Sequence, residues 1–149
     1  MATMLAGPYG ATLLGDLGAD VIKVESFVGD DSRHLGPGRG GERTAFMSLN
    51  RNKRAVVIDL TRGEEARAVL KKLVATADIV ITNIRSAALT KLGLDYEAMR
   101  AWREDLIWVS VTAFGPDGPY AGRMGDGASL SRHWGSSPHR LLHPMPYIN

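Results

Sequence analysis

Residues 6–25 read AGPYGATLLGDLGADVIKVE, and this stretch decides the fold class. Pro8 suits the first turn of a helix, because its missing N–H group would have no partner there in any case. Leucines at helical spacing give that helix an apolar side, and Gly18 can end it in a left-handed cap. Apolar residues between Val21 and Val24 then predict a short buried strand that ends at Glu25.

An α/β unit has a strand before such a helix, and that strand feeds the glycine-rich loop. Residues 1–5 are too few to hold a full strand of this kind. The expected fold is therefore an α/β fold, a Rossmann-like parallel sheet with helical crossovers, that lacks its first strand.

The composition is that of a soluble globular domain. The chain has 149 residues, of which 44% are hydrophobic and 23% charged, and this suits one domain of ordinary size. A net charge of +2 does not by itself indicate nucleic acid, and a small anionic ligand is equally compatible. The absence of cysteine excludes disulfides, thiol nucleophiles and Cys-based metal sites. No apolar run approaches the roughly 20 residues that a membrane-spanning helix needs, and the start of the chain lacks the pattern of a signal peptide. We therefore expect a cytoplasmic protein without a membrane partner.

Strands and helices alternate along the rest of the chain. The pattern of apolar and β-branched residues predicts strands at residues 54–60, 78–82 and 106–112. It predicts helices at residues 44–49, 63–77, 86–92 and 96–103. Thr61 is the expected cap of the helix at 63–77. Such alternation predicts parallel strands joined by helical crossovers.

In an open parallel sheet, ligands bind outside the carboxyl ends of the strands. On this chain that edge carries Glu25 with the loop after it and three further segments, residues 59–61, 83–85 and 112–115. The loop before the first helix joins them, because a helix N-terminus attracts phosphate. Ala6, Gly7 and Pro8 are thus expected near a ligand, although the glycines could equally serve only packing and turns.

Three other features are open to two interpretations each. The basic segment at residues 51–54 suits phosphate, but such runs more often lie in solvent at the start of a strand. Glu25 stands where a dinucleotide fold places its ribose acid, but the G-x-G-x-x-G fingerprint is absent, which argues against an NAD site. His133, His139 and His143 have no carboxylate at ligand spacing, so no metal is expected.

Five motifs together resemble the class III CoA-transferases, the family of formyl-CoA transferase, carnitine CoA-transferase and α-methylacyl-CoA racemase. They are AGPYGATLLGDLGADVIKVE at 6–25, LNRNKRAVVIDL at 49–60, ADIVITNIR at 77–85, LGLDYEAM at 92–99 and LIWVSVTAFGPDGPYAGRMG at 106–125. They follow one another in the family's order and at the family's spacing. The resemblance covers about residues 2–125.

The resemblance implies a Rossmann-like large domain, an interlocked homodimer and coenzyme A (CoA) as the bound substrate or acyl carrier. It implies an acyl-CoA and a small carboxylic acid as partners, with no metal and no nucleic acid. By position, it implies CoA contacts at Thr3, Met4, Leu5, Ala6, Ser26, Ile58, Asn83, Ile84, Ala88 and Lys91. Several relatives carry arginine at the positions of Ser26 and Lys91. Serine removes that charge, whereas lysine keeps it without the planar fork.

The resemblance also implies that the catalytic groups are missing. The transferases use an aspartate that forms an acyl anhydride, and it lies beyond the point where the pattern ends. The racemases use a histidine and an aspartate as acid and base, and Asp126 stands at the histidine's position. We therefore assign no catalytic residue, not even His133, and expect the C-terminal part of the fold to be missing.

The expected organisation is a partial CoA-binding domain at residues 1–125 and an irregular, non-native or disordered tail at 126–149. The expected function of the full-length protein is transfer of CoA between an acyl thioester and a carboxylic acid, with the isolated chain inactive. Two alternatives stay open, a racemase-type enzyme on the same fold and a non-catalytic remnant that binds CoA or dimerises. The sequence does not identify the acyl group.

Overall fold

The computed structural model of the chain describes residues 1–121 and 123. Two units make up the chain, Met1–Val111 and Thr112–Asn149. All helices and strands of the described residues lie in the first unit. Among these residues, no helix is both long enough and apolar enough to cross a membrane. The tail expected at residues 126–149 lies outside the described part of the chain and stays a prediction.

The first unit alternates strands and helices as predicted. Its strands are β1 (Val21–Glu25), β2 (Gly38–Arg39), β3 (Glu42–Arg43), β4 (Lys53–Val57), β5 (Ile79–Thr82) and β6 (Ile107–Ser110). Its helices are α1 (Ala6–Asp16), α2 (Thr44–Asn50), α3 (Glu64–Val74), α4 (Ser86–Lys91) and α5 (Tyr96–Arg100). Short 3-10 helices lie at Asp31–His34 and Leu60–Arg62. Each strand and helix that the sequence predicted is present, with somewhat different ends.

The strands form two separate parallel pairs. β1 pairs with β4, with Val21 opposite Lys53. β5 pairs with β6, with Ile79 opposite Ile107. β2 and β3 form a small antiparallel hairpin within the predicted loop. Because parallel strands must be joined by crossovers, these pairs confirm the predicted α/β architecture.

The predicted strand at 54–60 ends early, at Val57, because Asp59 turns the chain. The Asp59 carboxylate accepts hydrogen bonds from the N–H (3.0 Å) and the hydroxyl (2.5 Å) of Thr61. These bonds begin the 3-10 helix at Leu60–Arg62. The prediction that Thr61 caps the next helix is therefore wrong, since α3 begins after Gly63, which has a positive φ of 67°.

Helix α1 ends as predicted but begins two residues earlier, at Ala6. At its end Gly18 has a φ of 99°, and its N–H donates to the carbonyl of Gly15 at 3.0 Å. The N–H of Ala19 donates to the carbonyl of Leu14 at 3.0 Å, which completes a Schellman motif. Pro8 still lies in the first turn, where its missing N–H costs nothing.

The apolar core of the first unit centres on α3 and β5. Its buried members are Leu70, Val74, Val80, Leu89, Leu94, Met99 and Leu106. Strand β1 departs from the prediction, because its buried residues are Lys23 and Glu25, whereas its three apolar residues are only half-buried. Charged partners from the following loop make this burial possible.

The second unit is described at residues 112–121 and 123, which form turns and contain no helix or strand. Gly115 and Gly118 have φ angles of 81° and 92°, in keeping with the turns predicted at these glycines. The rings of Phe114 and Tyr120 lie 5.8 Å apart between centroids. The guanidinium of Arg123 lies 4.4 Å from the centre of the Tyr120 ring.

Candidate functional site

Thr3 and Asn83 form a reciprocal pair at the carboxyl end of β5. The Thr3 N–H donates to Oδ1 of Asn83 at 3.1 Å, and Nδ2 of Asn83 donates to the Thr3 carbonyl at 2.8 Å. The amide side chain thus makes the two bonds that a neighbouring strand would make. The N–H of Ile84 is held by the Thr82 hydroxyl at 3.1 Å. Two segments predicted to contact CoA are therefore brought together.

The other predicted residues of the first loop lead into α1. Met4 has a positive φ of 66°, which is uncommon outside glycine, and its N–H donates to Oδ1 of Asp30 at 3.0 Å. Leu5 is the exposed N-cap residue, and Ala6 is the first residue of the helix. No side chain caps α1, and its first turn contains no acidic residue. A helix N-terminus of this kind suits an anion.

Gly7 and Pro8, which were expected near a ligand, are buried. A Cβ added to Gly7 would come within 2.6 Å of the Cβ of Ala2, so this glycine is needed for close packing. By contrast, a Cβ added to Gly10 would meet no atom within 4 Å. The structure therefore favours the packing interpretation for Gly7 and leaves only the start of α1 open to a ligand.

Asp30, which the sequence pattern did not indicate, organises the loop after β1. Besides the N–H of Met4, its carboxylate accepts hydrogen bonds from Nζ of Lys23 (2.5 Å) and from the N–H (2.9 Å) and hydroxyl (2.8 Å) of Ser32. Burial alone would raise the pKa of the Asp30 carboxyl, but hydrogen bonds from Lys23 and Ser32 hold it below its ordinary value. An Asp two residues before a Ser is the local signal of such a turn.

Glu25 is engaged within the protein, contrary to the idea of a ribose acid. Its carboxylate accepts two hydrogen bonds from Arg33, both at 2.9 Å, and one from the N–H of Asp30 at 3.1 Å. The hydrogen bonds that Arg33 donates to the Glu25 carboxylate raise the pKa of the Arg33 guanidinium, which also lies 3.7 Å from the centre of the Phe46 ring. Glu25 therefore shapes the loop after β1.

The remaining predicted residues lie directly after β1 and β4 and in helix α4. Ser26 is exposed directly after β1. Ile58 is buried after β4, and its N–H donates to the carbonyl of Glu25 at 2.9 Å. Ala88 is half-buried in α4, and Lys91 is exposed at the end of that helix. Contact of these residues with CoA stays a prediction.

Two cations, one directly before α4 and one at its end, are available to a phosphate. The side chains of Arg85 and Lys91 are exposed, and neither forms a hydrogen bond or ion pair with any residue that the structure describes. Lys91 lines a cleft of about 230 Å³ together with Gly63, Glu64 and Arg67. Guanidinium and ammonium groups without acidic partners suit phosphate binding.

The basic segment at residues 51–54 is already paired. Arg51 forms an ion pair with Asp16, and Arg54 forms one with Asp20. The Nζ of Lys53 donates to backbone carbonyls of α1 and α2, and burial, reinforced by the charge of Lys23, lowers the pKa of Lys53 to about 8. These contacts favour a structural role at the start of β4 over a phosphate site.

Two further points from the sequence analysis concern metal ligands and residues 112–115. Within residues 1–121 and 123, no three His, Asp or Glu side chains form a group that could hold a metal ion. His133, His139 and His143 lie outside the described residues. Residues 112–115, the last predicted segment of the ligand edge, belong to the second unit.

Comparison with known proteins gives a consistent result. The model of CoA-transferase family III matches residues 1–136, which extends past residue 125, where the sequence motifs end. A succinate–glutarate CoA-transferase of Agrobacterium fabrum is 44% identical over 129 residues, which are 81% of this chain and 32% of that protein. The beta subunit of a succinyl-CoA–L-malate CoA-transferase of Chloroflexus aurantiacus is 42% identical over 126 residues, 83% of this chain and 31% of that subunit.

A solved structure shows the same fold. The crystal structure of a CaiB/BaiF family protein from Brucella suis matches 91% of this chain with a TM-score of 0.82 and 45% sequence identity. This match confirms the Rossmann-like α/β fold class, and it covers 37% of that protein. The chain thus spans about a third of the length of these relatives. Because the family match extends over most of its residues, the chain belongs to CoA-transferase family III.

Proposed function

We propose that this chain is the CoA-binding part of a protein that transfers CoA between an acyl thioester and a carboxylic acid. The relatives described above are named as CoA-transferases of succinate, glutarate and malate, which supports transfer over the racemase-type alternative. The homodimer and the cytoplasmic location expected from the sequence belong to the same proposal. The identity of the acyl group is not part of it.

The observation that carries the proposal is the reciprocal pair of Thr3 and Asn83. It holds the uncapped start of α1 close to the segment that leads to Arg85 and Lys91. N–H groups at a helix start and cations without acidic partners are the donors that the phosphate groups of CoA require. The proposed contacts are those predicted from the sequence at Thr3, Met4, Leu5, Ala6, Ser26, Ile58, Asn83, Ile84, Ala88 and Lys91, with Arg85 added.

No catalytic residue is proposed on the part of the chain that the structure describes. Its two buried carboxylates, Glu25 and Asp30, are each paired with a cation and serve the structure of the loop. Acyl transfer through an anhydride needs a carboxylate free to attack. We therefore propose that the nucleophile lies elsewhere in the full-length protein and that the 149-residue chain only binds CoA.

Thermal unfolding with and without CoA tests binding. A ligand that binds only the folded state, at about 100 times its Kd, adds about 2.7 kcal/mol to the free energy of unfolding. We expect CoA to raise the melting temperature and NAD to leave it unchanged. A cooperative transition that CoA does not move would contradict the proposal. Turnover of an acyl-CoA with a free acid by this chain alone would contradict the position given to the nucleophile.

Two single substitutions locate the site. Lys91→Ala and Arg85→Ala should each weaken CoA binding by about ten- to a hundredfold, because a hydrogen bond to a charged group contributes about 1.5–3 kcal/mol. Lys72→Ala is the matched control, since Lys72 is an exposed lysine on α3 outside the predicted contacts. Titration calorimetry measures the affinities. An equal loss of CoA affinity for Lys72→Ala would indicate nonspecific electrostatic attraction between CoA and the protein surface, and it would contradict a defined site.

A further inference from the structure

Three side chains hold the backbone of the loop that precedes α1. Nζ of Lys23 donates to the Ala2 carbonyl at 3.0 Å, and Oδ1 of Asp30 accepts from the Met4 N–H at 3.0 Å. The residue between these two is held by its reciprocal hydrogen bonds with Asn83. Three successive residues of this loop are therefore fixed by side chains from β1, from the loop after β1 and from the carboxyl end of β5.

Lys23 and Asp30 hold this loop as one buried unit. Nζ of Lys23 lies 2.5 Å from Oδ2 of Asp30, and the two residues are 6% and 1% exposed. Oδ2 thus faces the ammonium group, which leaves Oδ1 for Met4 and Ser32. The net contribution of a buried ion pair to stability is small, because the loss of hydration offsets much of the attraction. The groups that this pair holds in place therefore explain its position better than stability alone.

Met4 is the residue of this loop whose backbone most needs an external partner. Its φ of 66° lies in the left-handed region, where the Cβ of an L-residue comes too close to the following carbonyl oxygen. Its side chain is 36% exposed, so packing does little to hold it. A strained backbone of this kind persists only where the surrounding structure holds it, and it is most common at functional sites. The hydrogen bond to Asp30 is a contact that can hold it.

We propose that Asp30 is a positioning residue for CoA, which holds the strained backbone of Met4 so that residues 3–6 can contact the ligand. Asp30 is buried and acts through the Met4 N–H, while Lys23 orients its carboxylate. This inference rests on the proposed CoA function and adds to it the residue that prepares the binding loop. If only a fraction of the molecules held the loop in this conformation, the apparent Kd for CoA would rise by the inverse of that fraction.

A matched pair of double variants tests the role of Asp30 in the full chain. Lys23→Met with Asp30→Asn and Lys23→Met with Asp30→Ala both lack the buried ion pair, but only the asparagine variant keeps an acceptor for the Met4 N–H. Titration calorimetry with CoA should show binding about tenfold or more weaker for the alanine variant, as expected for loss of a buried hydrogen bond. Circular dichroism checks that both variants fold. Equal affinities of the folded variants would overturn the inference.

Titration of the unaltered chain separates this inference from the proposed function. If the unaltered chain does not bind CoA, the proposed function is wrong and the inference fails with it. If the unaltered chain binds CoA and the two double variants bind it with equal affinity, only the inference is wrong. If it binds CoA and the alanine variant alone is weakened, both are supported.

Glycine at residue 4 distinguishes positioning from a purely structural role of Asp30. Glycine adopts a positive φ without the steric cost, so Met4→Gly added to the alanine double variant should recover about threefold or more of the lost CoA affinity. Val28→Gly is the matched control, because Val28 is exposed in the loop after β1 and does not have a positive φ. It also adds a flexible residue and should recover no affinity. No recovery with Met4→Gly, or equal recovery with both, would overturn the inference.

Hydrogen exchange tests the same coupling on the unaltered chain, and it decides the question if the alanine double variant does not fold. The N–H groups of Met4 and Ser32 both donate to Asp30. Because a loop released from Asp30 should not bind CoA, CoA at about 100 times its Kd should slow their exchange by local opening about a hundredfold. The N–H of Ala98, which donates to Asp95 at 3.1 Å, is the matched control and should not change. Unchanged exchange at Met4 and Ser32, or equal slowing at Ala98, would overturn the inference.

Discussion

At the scale of single residues, charged pairs hold the amino-terminal part of the fold together. Lys23 and Asp30 are both buried, and Nζ of Lys23 lies 2.5 Å from Oδ2 of Asp30. Glu25, which is buried in the same strand as Lys23, forms a second ion pair with Arg33. The Asp30 carboxylate also accepts a hydrogen bond from the N–H of Met4. This network therefore connects the loop before α1 with the loop after β1. A buried charge of this kind is tolerated only while its partner remains.

Removal of Asp30 should therefore be costly. Asp30→Ala leaves the Lys23 ammonium buried without its partner, which typically costs about 3–5 kcal/mol in the free energy of unfolding. Urea unfolding followed by circular dichroism measures the loss. Asp31→Ala is the control, because Asp31 is exposed and should change stability by less than about 0.5 kcal/mol. Similar losses of stability for the two variants would contradict the expected contribution of the buried Lys23–Asp30 pair.

The amine of Met1 should make stability depend on pH. Its pKa is lowered from 8.0 to about 5 in the folded chain, mainly by desolvation. Between these values the unfolded chain binds more protons, so the free energy of unfolding should rise as the pH increases from about 5 to about 8. Urea unfolding across this range measures the change. A chain acetylated at its amino end should lack the rise, and an identical rise in that chain would refute the assignment.

At the scale of elements, the ends of helices and strands depend on single residues with special backbone requirements. Gly18 closes α1 with a left-handed conformation, and Asp59 ends β4 by forming a turn with Thr61. Asp95 caps α5, where its carboxylate accepts a hydrogen bond from the N–H of Ala98 at 3.1 Å. These local bonds fix where each element stops, whereas packing fixes how it is oriented.

A glycine inside α1 and the glycine that follows the end of this helix should respond to alanine in opposite directions. Gly18→Ala forces a Cβ into the left-handed region and should destabilise the chain by about 1–2 kcal/mol. Gly10→Ala lies inside the helix, where an added Cβ meets no atom within 4 Å, and should stabilise it by about 0.5–1 kcal/mol. Thermal unfolding of both variants gives the comparison. Destabilisation of the same size at Gly10 would contradict this account of the helix.

At the scale of the whole molecule, the two ends of the first unit are held together by different forces. The buried apolar cluster runs from Leu70 to Leu106 and contains no residue of α1 or β1. The amino-terminal elements depend on charged pairs, and several of their apolar side chains are exposed, such as Leu17 at 85% and Phe27 at 72%. A cavity between β1 and β5 lies where these two regions meet.

Stability of the first unit should consequently depend on the centre of the apolar cluster. Met99→Ala removes a fully buried side chain and should cost about 2–5 kcal/mol. Met47→Ala is the matched control, because Met47 is 56% exposed on α2 and should change stability by less than about 0.5 kcal/mol. Denaturant unfolding measures both. Comparable effects at the two methionines would mean that the cluster is not the stabilising core.

Local patterns predicted the types and order of the main helices and strands, the parallel α/β class and the resemblance to class III CoA-transferases. They succeeded because apolar periodicity and turn residues act within a few positions of the chain. They missed the end of β4 at Val57 and the hairpin of β2 and β3. Those features depend on particular side-chain and cross-strand hydrogen bonds that periodicity does not record.

Tertiary structure alone decided which polar groups are buried and which segments meet. Lys23 and Glu25 fill the buried positions of β1 only because Asp30 and Arg33 return to them from the following loop. Thr3 meets Asn83 across 80 positions of the sequence. Whether a charged or amide side chain can be buried depends on the partners that folding brings to it, and those partners are distant in sequence.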